Sequence, residues 1–378
     1  MTVDLPNEVL DLIVQHATRG TQARLSAVSS RIYHVSTRVL YASIPNMSMT
    51  RTTQCLLTLS QKPELARLVR LFSYVSYSHV LRSFYALLAR ALRNMTSLQT
   101  LWFYHDTYVP MSGVLSQTSF RLTKLIYVAE SDLSYSIFQF LSTQPTIEEL
   151  HISCRLDNMS TLSPEALPAL RDLTAPLHLL PILLHSRLSR LSRLSVLGTM
   201  SKAEAFIQLR MALESTKPPD SIELVIGTHA RIRASSILHN VVTPGLAFLG
   251  LRIPFIGSLR LNIHQGRVGR EQLQDMFTFA LPNFPNLKTL AVMSHLPASY
   301  TQIYQDPPTW LVRMSSDAPT LSPQSQDLQS ELVSTQRRLN PDPLYDTSCH
   351  MQILKSWRHV HPGLERVVFP VGAYIITD

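Results

Sequence analysis

The sequence predicts a short all-α module at the N-terminus, followed by an α/β solenoid built from parallel strands and packed helices. Two observations lead to this fold class. Apolar residues with helical spacing fill the stretch from Leu5 to Tyr41. Beyond that stretch, one strand pattern returns at a nearly constant interval, with helical patterns between its copies. We place the module at residues 1–45 and the solenoid at residues 46–378.

The N-terminal stretch is predicted to form three short helices. Pro6 suits the start of the first helix, where its missing N–H would have no partner anyway. Gly20 is expected to end that helix, and Thr21 to cap the second. The apolar faces consist of Val9, Leu10, Ile13, Val14 and Ala17, then Leu25 and Val28, then Ile32, Val35, Val39 and Leu40. A piece below ~40 residues rarely stands alone, so these residues must pack against the rest of the chain or a second protein.

The residues of this module resemble an F-box. The matching segments are Leu5-Pro6-x-Glu8-Val9-Leu10-x-x-Ile13, Leu25-Ser26-x-Val28-Ser29-x-Arg31 and Leu40-Tyr41. Thr18-Arg19-Gly20-Thr21 replaces the leucine- and acid-containing turn that is usual in the family. The resemblance implies docking to the Skp-type adaptor of a cullin–RING ubiquitin ligase. The adaptor-binding residues it implies are Leu5, Pro6, Val9, Leu10, Ile13, Leu25, Val28 and Ser29. The alternative is a plain helical cap on the solenoid.

The strand pattern is an apolar residue, two variable residues, an apolar residue, one variable residue and a third apolar residue. Its copies are Leu98–Phe103, Leu122–Tyr127, Ile147–Ile152, Leu170–Ala175, Leu191–Val196, Leu246–Leu251, Leu287–Val292 and Leu364–Phe369. The first five start at residues 98, 122, 147, 170 and 191, which are 24, 25, 23 and 21 residues apart. Further strands are predicted near Leu68 and over Ser221–Gly227. Helical patterns lie between them, at Val80–Leu92, Ser134–Leu141, Ala203–Leu213, Ile232–Val242 and Arg270–Leu281.

This rhythm resembles leucine-rich repeats, and the whole arrangement resembles fungal F-box/leucine-rich-repeat proteins. The family places Asn or Cys three residues after the third apolar position, where this chain has Asp106, Glu130, Arg155, Pro254 and His295. We therefore expect an irregular solenoid, with strands on the concave side and helices on the convex side. Residues 315–343, rich in Pro, Ser, Gln and Asp, are predicted to be a mobile insertion. A helix over Tyr345–Trp357 and the strand Leu364–Phe369 follow it.

Composition limits the classes of protein that fit. The chain is 45% hydrophobic and 16% charged, which allows a large core, and its formal net charge is +8. This charge permits acidic partners but lacks the Lys/Arg clustering of a nucleic-acid binder. Three distant cysteines without a CxxC pair indicate neither a zinc site nor a disulfide framework. No signal peptide or membrane span is predicted, so we expect a cytoplasmic or nuclear protein that binds neither nucleic acid nor membrane.

No constellation of catalytic residues is visible in the sequence. Nucleophile-elbow, phosphate-loop, zincin and dinucleotide motifs are all missing from it. The histidines of His359-Val360-His361 have no third ligand type nearby, so we expect no metal, no cofactor and no enzymatic activity. Arg187–Ser195 repeats Arg-Leu-Ser with a period of three. We interpret it as a turn that leads into a strand, and basophilic kinase sites at its serines are the alternative.

The solenoid would present its variable strand residues as a target-binding concave face, where aromatic and arginine side chains usually carry binding energy. The predicted set is Trp102, Tyr104, Lys124, His151, Arg193, Phe248, Arg252, Thr289 and Arg366. With the F-box resemblance, this implies the substrate-recognition subunit of an SCF-type ubiquitin ligase with an unknown protein target. The first alternative is a protein-binding solenoid outside any ligase. The second is an enzyme with an unfamiliar site.

Overall fold

The structure is a computed structural model. It describes residues 5–76, 81–105, 112–129, 137–154, 162–214, 217–230, 238–266, 268–295 and 343–376. The chain divides into two compact units, Met1–Leu191 and Ser192–Asp378. Within each unit the described strands neighbour one another in sequence order and are mostly parallel, with helices between them. The predicted solenoid-like α/β fold is therefore confirmed.

Three helices form the start of the first unit, α1 (Asn7–His16), α2 (Arg19–Leu25) and α3 (Ser30–Ala42). Two predicted details are wrong. Gly20 lies inside α2, and the cap of α2 is Thr18, whose Oγ1 accepts a hydrogen bond from the Thr21 N–H at 3.3 Å. The first helix ends earlier because Ala17 is extended, and the Gln22 amide then donates to the carbonyl oxygens of Val14 and Ala17 at 2.9 and 3.1 Å. A polar side chain therefore closes α1 where a glycine was expected.

The remaining elements of the first unit alternate strands with helices. The strands are β1 (Ser43–Ile44), β2 (Leu71–Ser76), β3 (Thr100–His105), β4 (Lys124–Ala129), β5 (Glu149–Ser153) and β6 (Asp172–Pro176). The helices are α4 (Met49–Gln61), α5 (Pro63–Ala66), α6 (Arg82–Asn94), α7 (Ser112–Leu115), α8 (Ile137–Ser142) and α9 (Leu180–Leu184). Leu177–Leu179 and Leu188–Arg190 form 3₁₀ turns.

The repeated apolar positions build the core of this unit. The second position of each repeat falls in one register row, Leu101, Leu125, Leu150 and Leu173, and each member is buried. The turns before the strands are joined by backbone hydrogen bonds, such as Thr123 N–H to the Gln99 carbonyl at 2.8 Å and Glu148 N–H to the Thr123 carbonyl at 2.8 Å. These bonds connect successive turns through the main chain.

The second unit continues the same alternation. Its strands are β7 (Arg193–Thr199), β8 (Ile222–Ala230), β9 (Ile256–Gly266), β10 (Thr289–His295), β11 (Arg366–Phe369) and β12 (Gly372–Ile375), of which β12 is antiparallel to β11. Its helices are α10 (Ala203–Glu214), α11 (Thr243–Arg252), α12 (Arg270–Ala280) and α13 (Thr347–Val360). A π-helical turn covers Leu238–Val242, and a 3₁₀ turn covers Leu281–Asn283.

The predicted strand Leu246–Leu251 is helical. It lies in α11, where Pro244 occupies the first turn. Gly250 lets this helix approach its neighbour, because a Cβ there would lie 2.6 Å from the Phe284 ring. Apolar residues three apart fit a helix as well as the strand pattern. The strand of this repeat is β9, with alternating buried residues Leu259, Leu261 and Ile263.

The predicted insertion at 315–343 lies outside the described residues except for its last residue. After it, β11 pairs in parallel with β10, with Thr289 opposite Arg366. The Tyr345 hydroxyl donates to the Ser294 carbonyl at 2.8 Å, and the buried His350 ring bonds the Pro343 carbonyl at 3.0 Å. The first contact holds this segment against the end of β10, and the second joins Pro343 to α13. Among the described helices, none has the length and apolarity required to span a bilayer.

Candidate binding surfaces

The apolar residues of α1 separate into a buried side and an exposed side. Val14 is 1% exposed, whereas Val9, Leu12 and Ile13 are 37%, 55% and 50% exposed. Their spacing of three and four residues places Val9, Leu12 and Ile13 on one side of the helix. Leu5, just before the helix, is 43% exposed. We call these four residues the α1 face.

The predicted adaptor-binding residues are mostly accessible. Pro6 and Ser29 are exposed, Val28 is 65% exposed, and Leu10 and Leu25 are half-buried. Leu12 was missed by the sequence reasoning, although its place three residues after Val9 was the available signal. On α3, by contrast, the predicted apolar residues Ile32, Val35, Val39 and Leu40 are half-buried, and this helix contacts α5 and β1.

Arginine side chains hold the α1 face in place. Arg31, part of the F-box-like pattern, donates through Nε to Asn7 Oδ1 at 2.8 Å and through Nη2 to the Leu5 carbonyl. Arg38 pairs with Asp11 at 2.7 Å. Both contacts join α1 or its start to α3. The exposed apolar side chains are thus presented on a fixed helix, which lowers the entropy lost when a partner binds.

The second candidate surface is the sheet face of the first unit that points away from its core. Along β3, Leu101, Phe103 and His105 are buried, while Trp102 and Tyr104 alternate with them and are half-exposed. Trp102 shares a register row with Ile126 and His151, and the neighbouring row contains Lys124 and Glu149. Lys124 Nζ lies 2.6 Å from Glu149 Oε2. The structure therefore brings the predicted residues Trp102, Tyr104, Lys124 and His151 together.

Burial and the positive charge of Lys124 lower the pKa of His151 from its ordinary value. The unfolded chain then binds a proton more readily than the folded chain, so folding stability falls as the pH drops below ~6.5. The loss continues until the folded-state pKa is passed. We expect urea unfolding between pH 7.5 and 5.5 to show a larger loss of stability for wild type than for His151→Gln. Equal losses in both proteins would show that His151 does not contribute.

The second unit has a comparable row of polar side chains. Arg193, Glu223, Ser258, Thr289 and Arg366 occupy one register row across β7 to β11. Arg193 Nε lies 3.8 Å from Glu223 Oε2. The predicted residues Arg193, Thr289 and Arg366 thus share one row of the sheet.

Two residues predicted for the strand face are elsewhere. Phe248 and Arg252 belong to α11, because the segment that contains them is helical. The Arg210 guanidinium lies over the Phe248 ring at 5.2 Å, and Arg252 Nε bonds Glu214 Oε1 at 3.2 Å. Their assignment to the target-binding strands is wrong. Both instead contact residues of the helix α10.

Among the residues that the structure describes, the titratable side chains do not converge on a metal site. Within the described residues, no group of three His, Cys, Asp or Glu side chains could hold a metal ion. His361 is buried, and its ring bonds the Leu287 carbonyl at 2.8 Å. His359, near the end of α13, is exposed. His361 therefore has a structural partner.

No protein-family model matches the chain, and no curated protein matches it either. A function for this protein has to be argued from the α1 face and the two strand faces themselves.

Proposed function

We propose that the protein is the substrate-recognition subunit of an SCF-type ubiquitin ligase. The observation that carries this proposal is the α1 face. Four large apolar side chains, Leu5, Val9, Leu12 and Ile13, stay exposed on α1 and just before it, and Arg31 and Arg38 join this segment to α3. Exposed apolar residues gathered on one helix are typical of a protein-binding site.

The residues of this face coincide with the F-box resemblance. Leu5, Val9 and Ile13 are motif positions, and Arg31, another motif position, holds the Leu5 carbonyl. The resemblance assigns such a face to the Skp-type adaptor, and through it to a cullin–RING ligase. On this assignment, we expect the protein to act in the cytoplasm or the nucleus.

The proposed mechanism needs no catalytic residue in this chain. One end binds the adaptor, and the strand faces bind a protein target, so the target reaches a high effective concentration near the ubiquitin donor. Half-exposed aromatic residues such as Trp102 and Tyr104 are suitable anchors for that target.

A second candidate function is target binding outside any ligase, with the module as a structural cap. Contacts between the module and the sheet favour it. Arg19 Nη2 donates to the Ser43 carbonyl at 2.8 Å, and the Arg70 N–H donates to the Ala42 carbonyl at 2.9 Å. The module therefore also closes the edge of the sheet at β1.

Capture by an immobilised Skp-type adaptor separates the two functions. We expect the wild-type chain to bind, and Leu5→Ala with Pro6→Ala to reduce binding at least about tenfold, because apolar contact area is lost. Leu251→Ala, at an exposed leucine of α11, is the control and should bind like wild type. Failure of the wild type to bind would exclude the ligase function and favour the structural cap. Full binding by the double variant would show that Leu5 and Pro6 do not contact the adaptor.

A further inference from the structure

A groove between α4 and α6 is a fourth surface, and it shares no residue with the α1 face or the two strand faces. Its volume is about 610 Å³, and its apolar lining includes Met49, Leu57, Leu81 and Leu87. Leu57 is 44% exposed and Leu81 78% exposed. The opposite sides of both helices are buried, through Leu56 and Leu59 of α4 and Leu88 and Leu92 of α6. Core packing therefore does not account for the leucines of the groove.

The two helices that form the groove carry charge of one sign. Helices α4 and α6 contain four arginines, Arg51, Arg82, Arg90 and Arg93, and no acidic residue. Arg90 lines the groove itself. In the described part of the chain, Arg51, Arg82 and Arg90 make no ion pair, and Arg93 bonds only the Ala89 carbonyl, at 3.3 Å. The short helix α5, which contacts both helices, contributes the exposed Glu64. An apolar groove is thus flanked by a net positive charge, because these three helices carry four arginines and one acidic residue.

We propose that this groove binds an amphipathic helix of a partner protein, with its apolar stripe in the groove and acidic residues along its flanks. Helices bind grooves of this kind through apolar residues at positions i, i+3, i+4 and i+7. Each wall of the groove is a helix of 13 residues, or about 20 Å at the usual rise per residue. The partner segment is therefore a helix of about three to four turns. Charge complementarity selects acidic flanks over basic ones.

Fluorescence anisotropy with the full chain and a labelled model helix tests the proposal. The probe has leucines at helical spacing and glutamates on both flanks, and its twin has lysines in place of the glutamates. We expect saturable binding of the glutamate helix, at least about tenfold tighter than that of the lysine twin. Raising the salt concentration should weaken the binding, because exposed charges are screened.

Two pairs of substitutions at exposed positions locate the binding. Leu57→Ala with Leu81→Ala should weaken it at least about tenfold by removing apolar contact area. Arg51→Ala with Arg90→Ala should weaken it at least about fivefold and reduce its salt dependence. The matched controls are Met211→Ala with Leu251→Ala, and Arg121→Ala with Arg190→Ala, all at exposed positions outside the groove. All variants should keep the wild-type melting temperature and adaptor capture.

Several results would overturn the proposal. Equal affinity for both probe helices would show that the surface does not select acidic flanks. Wild-type affinity in the Leu57/Leu81 variant would show that the helix does not bind in the groove. Binding of vesicles of anionic phospholipid, lost in the Arg51/Arg90 variant while the helix fails to bind, would assign the surface to a membrane. Self-association of the wild type in sedimentation equilibrium, lost in the Leu57/Leu81 variant, would show that the groove binds a second copy of this chain.

Discussion

Replacing Ile13 with aspartate should weaken adaptor capture roughly a hundredfold while leaving the chain folded. In the free protein Ile13 is 50% exposed, so a carboxylate there remains in water. In an apolar interface the same carboxylate would be buried without a partner, which costs several kcal/mol. The prediction is tested by adaptor titration together with a melting curve.

The adjacent residue provides the control for this substitution. Val14 is 1% exposed on the opposite side of α1. Val14→Asp should therefore unfold the module and lower the melting temperature, unlike Ile13→Asp. Leu12→Ala, at the position that the sequence reasoning missed, should weaken capture by about fivefold to tenfold. Wild-type capture by a folded Ile13→Asp protein would exclude the α1 face as the docking surface.

Replacing Arg187 with methionine should destabilise the first unit by about 4 kcal/mol, because several buried carbonyls lose their donor. Arg187 is fully buried, and its acceptors among the described residues are backbone carbonyls. Its Nε bonds the Ala166 carbonyl at 2.8 Å, and its Nη1 bonds the His185 carbonyl at 2.9 Å and the Leu183 carbonyl at 3.3 Å. Its Nη2 bonds the Ser163 carbonyl. One guanidinium thus closes the C-terminal end of α9 and joins it to the turn at 163–166.

Two opposing effects decide the size of this loss. Burial disfavours the charged form and lowers the pKa of Arg187, so methionine removes an unfavourable desolvation. It also leaves several carbonyls without donors, at about 1–3 kcal/mol each, and we expect this second effect to dominate. Leu167 and Ser186, beside these carbonyls, have positive φ angles of 56° and 63°. Their strained backbone depends on the same contacts.

Urea unfolding measures the effect, and a neighbouring arginine serves as its control. Arg190 is exposed, so Arg190→Met should change stability by less than about 0.5 kcal/mol. Arg187→Lys should be intermediate, because an ammonium keeps the charge but has three donors in place of five. A stability of Arg187→Met within about 0.5 kcal/mol of wild type would show that water replaces the guanidinium at the carbonyls.

The sequence predicted the elements whose pattern is both local and repeated. The strands after Leu98, Leu122 and Ile147 form as expected, because each apolar position has an equivalent in the adjacent repeat. The segment Leu246–Leu251 was misassigned because its apolar spacing also suits a helix, and in the structure it packs as a helix against Phe284. The turn interpretation of Arg187–Ser195 is confirmed by the 3₁₀ turn before β7.

The candidate sites could be predicted only in part. The exposure of Leu5, Val9 and Ile13 followed from a surplus of apolar residues in a very short module. The burial of Arg187 could not be predicted, because its acceptors come from separate segments, at 163–166 and 182–185, that no local pattern connects. The α4/α6 groove was missed for a similar reason. Its leucines have ordinary helical spacing, and only the packed pair of helices shows which of them remain exposed.

Hydrogen–deuterium exchange of the full chain with and without a Skp-type adaptor tests the central claim most directly. We expect added protection at residues 5–13 and 25–29, where the exposed apolar residues of the module lie, and unchanged exchange in α4 and α6. An adaptor that protects no part of the module, or that protects α4 and α6 instead, would contradict the proposed docking surface.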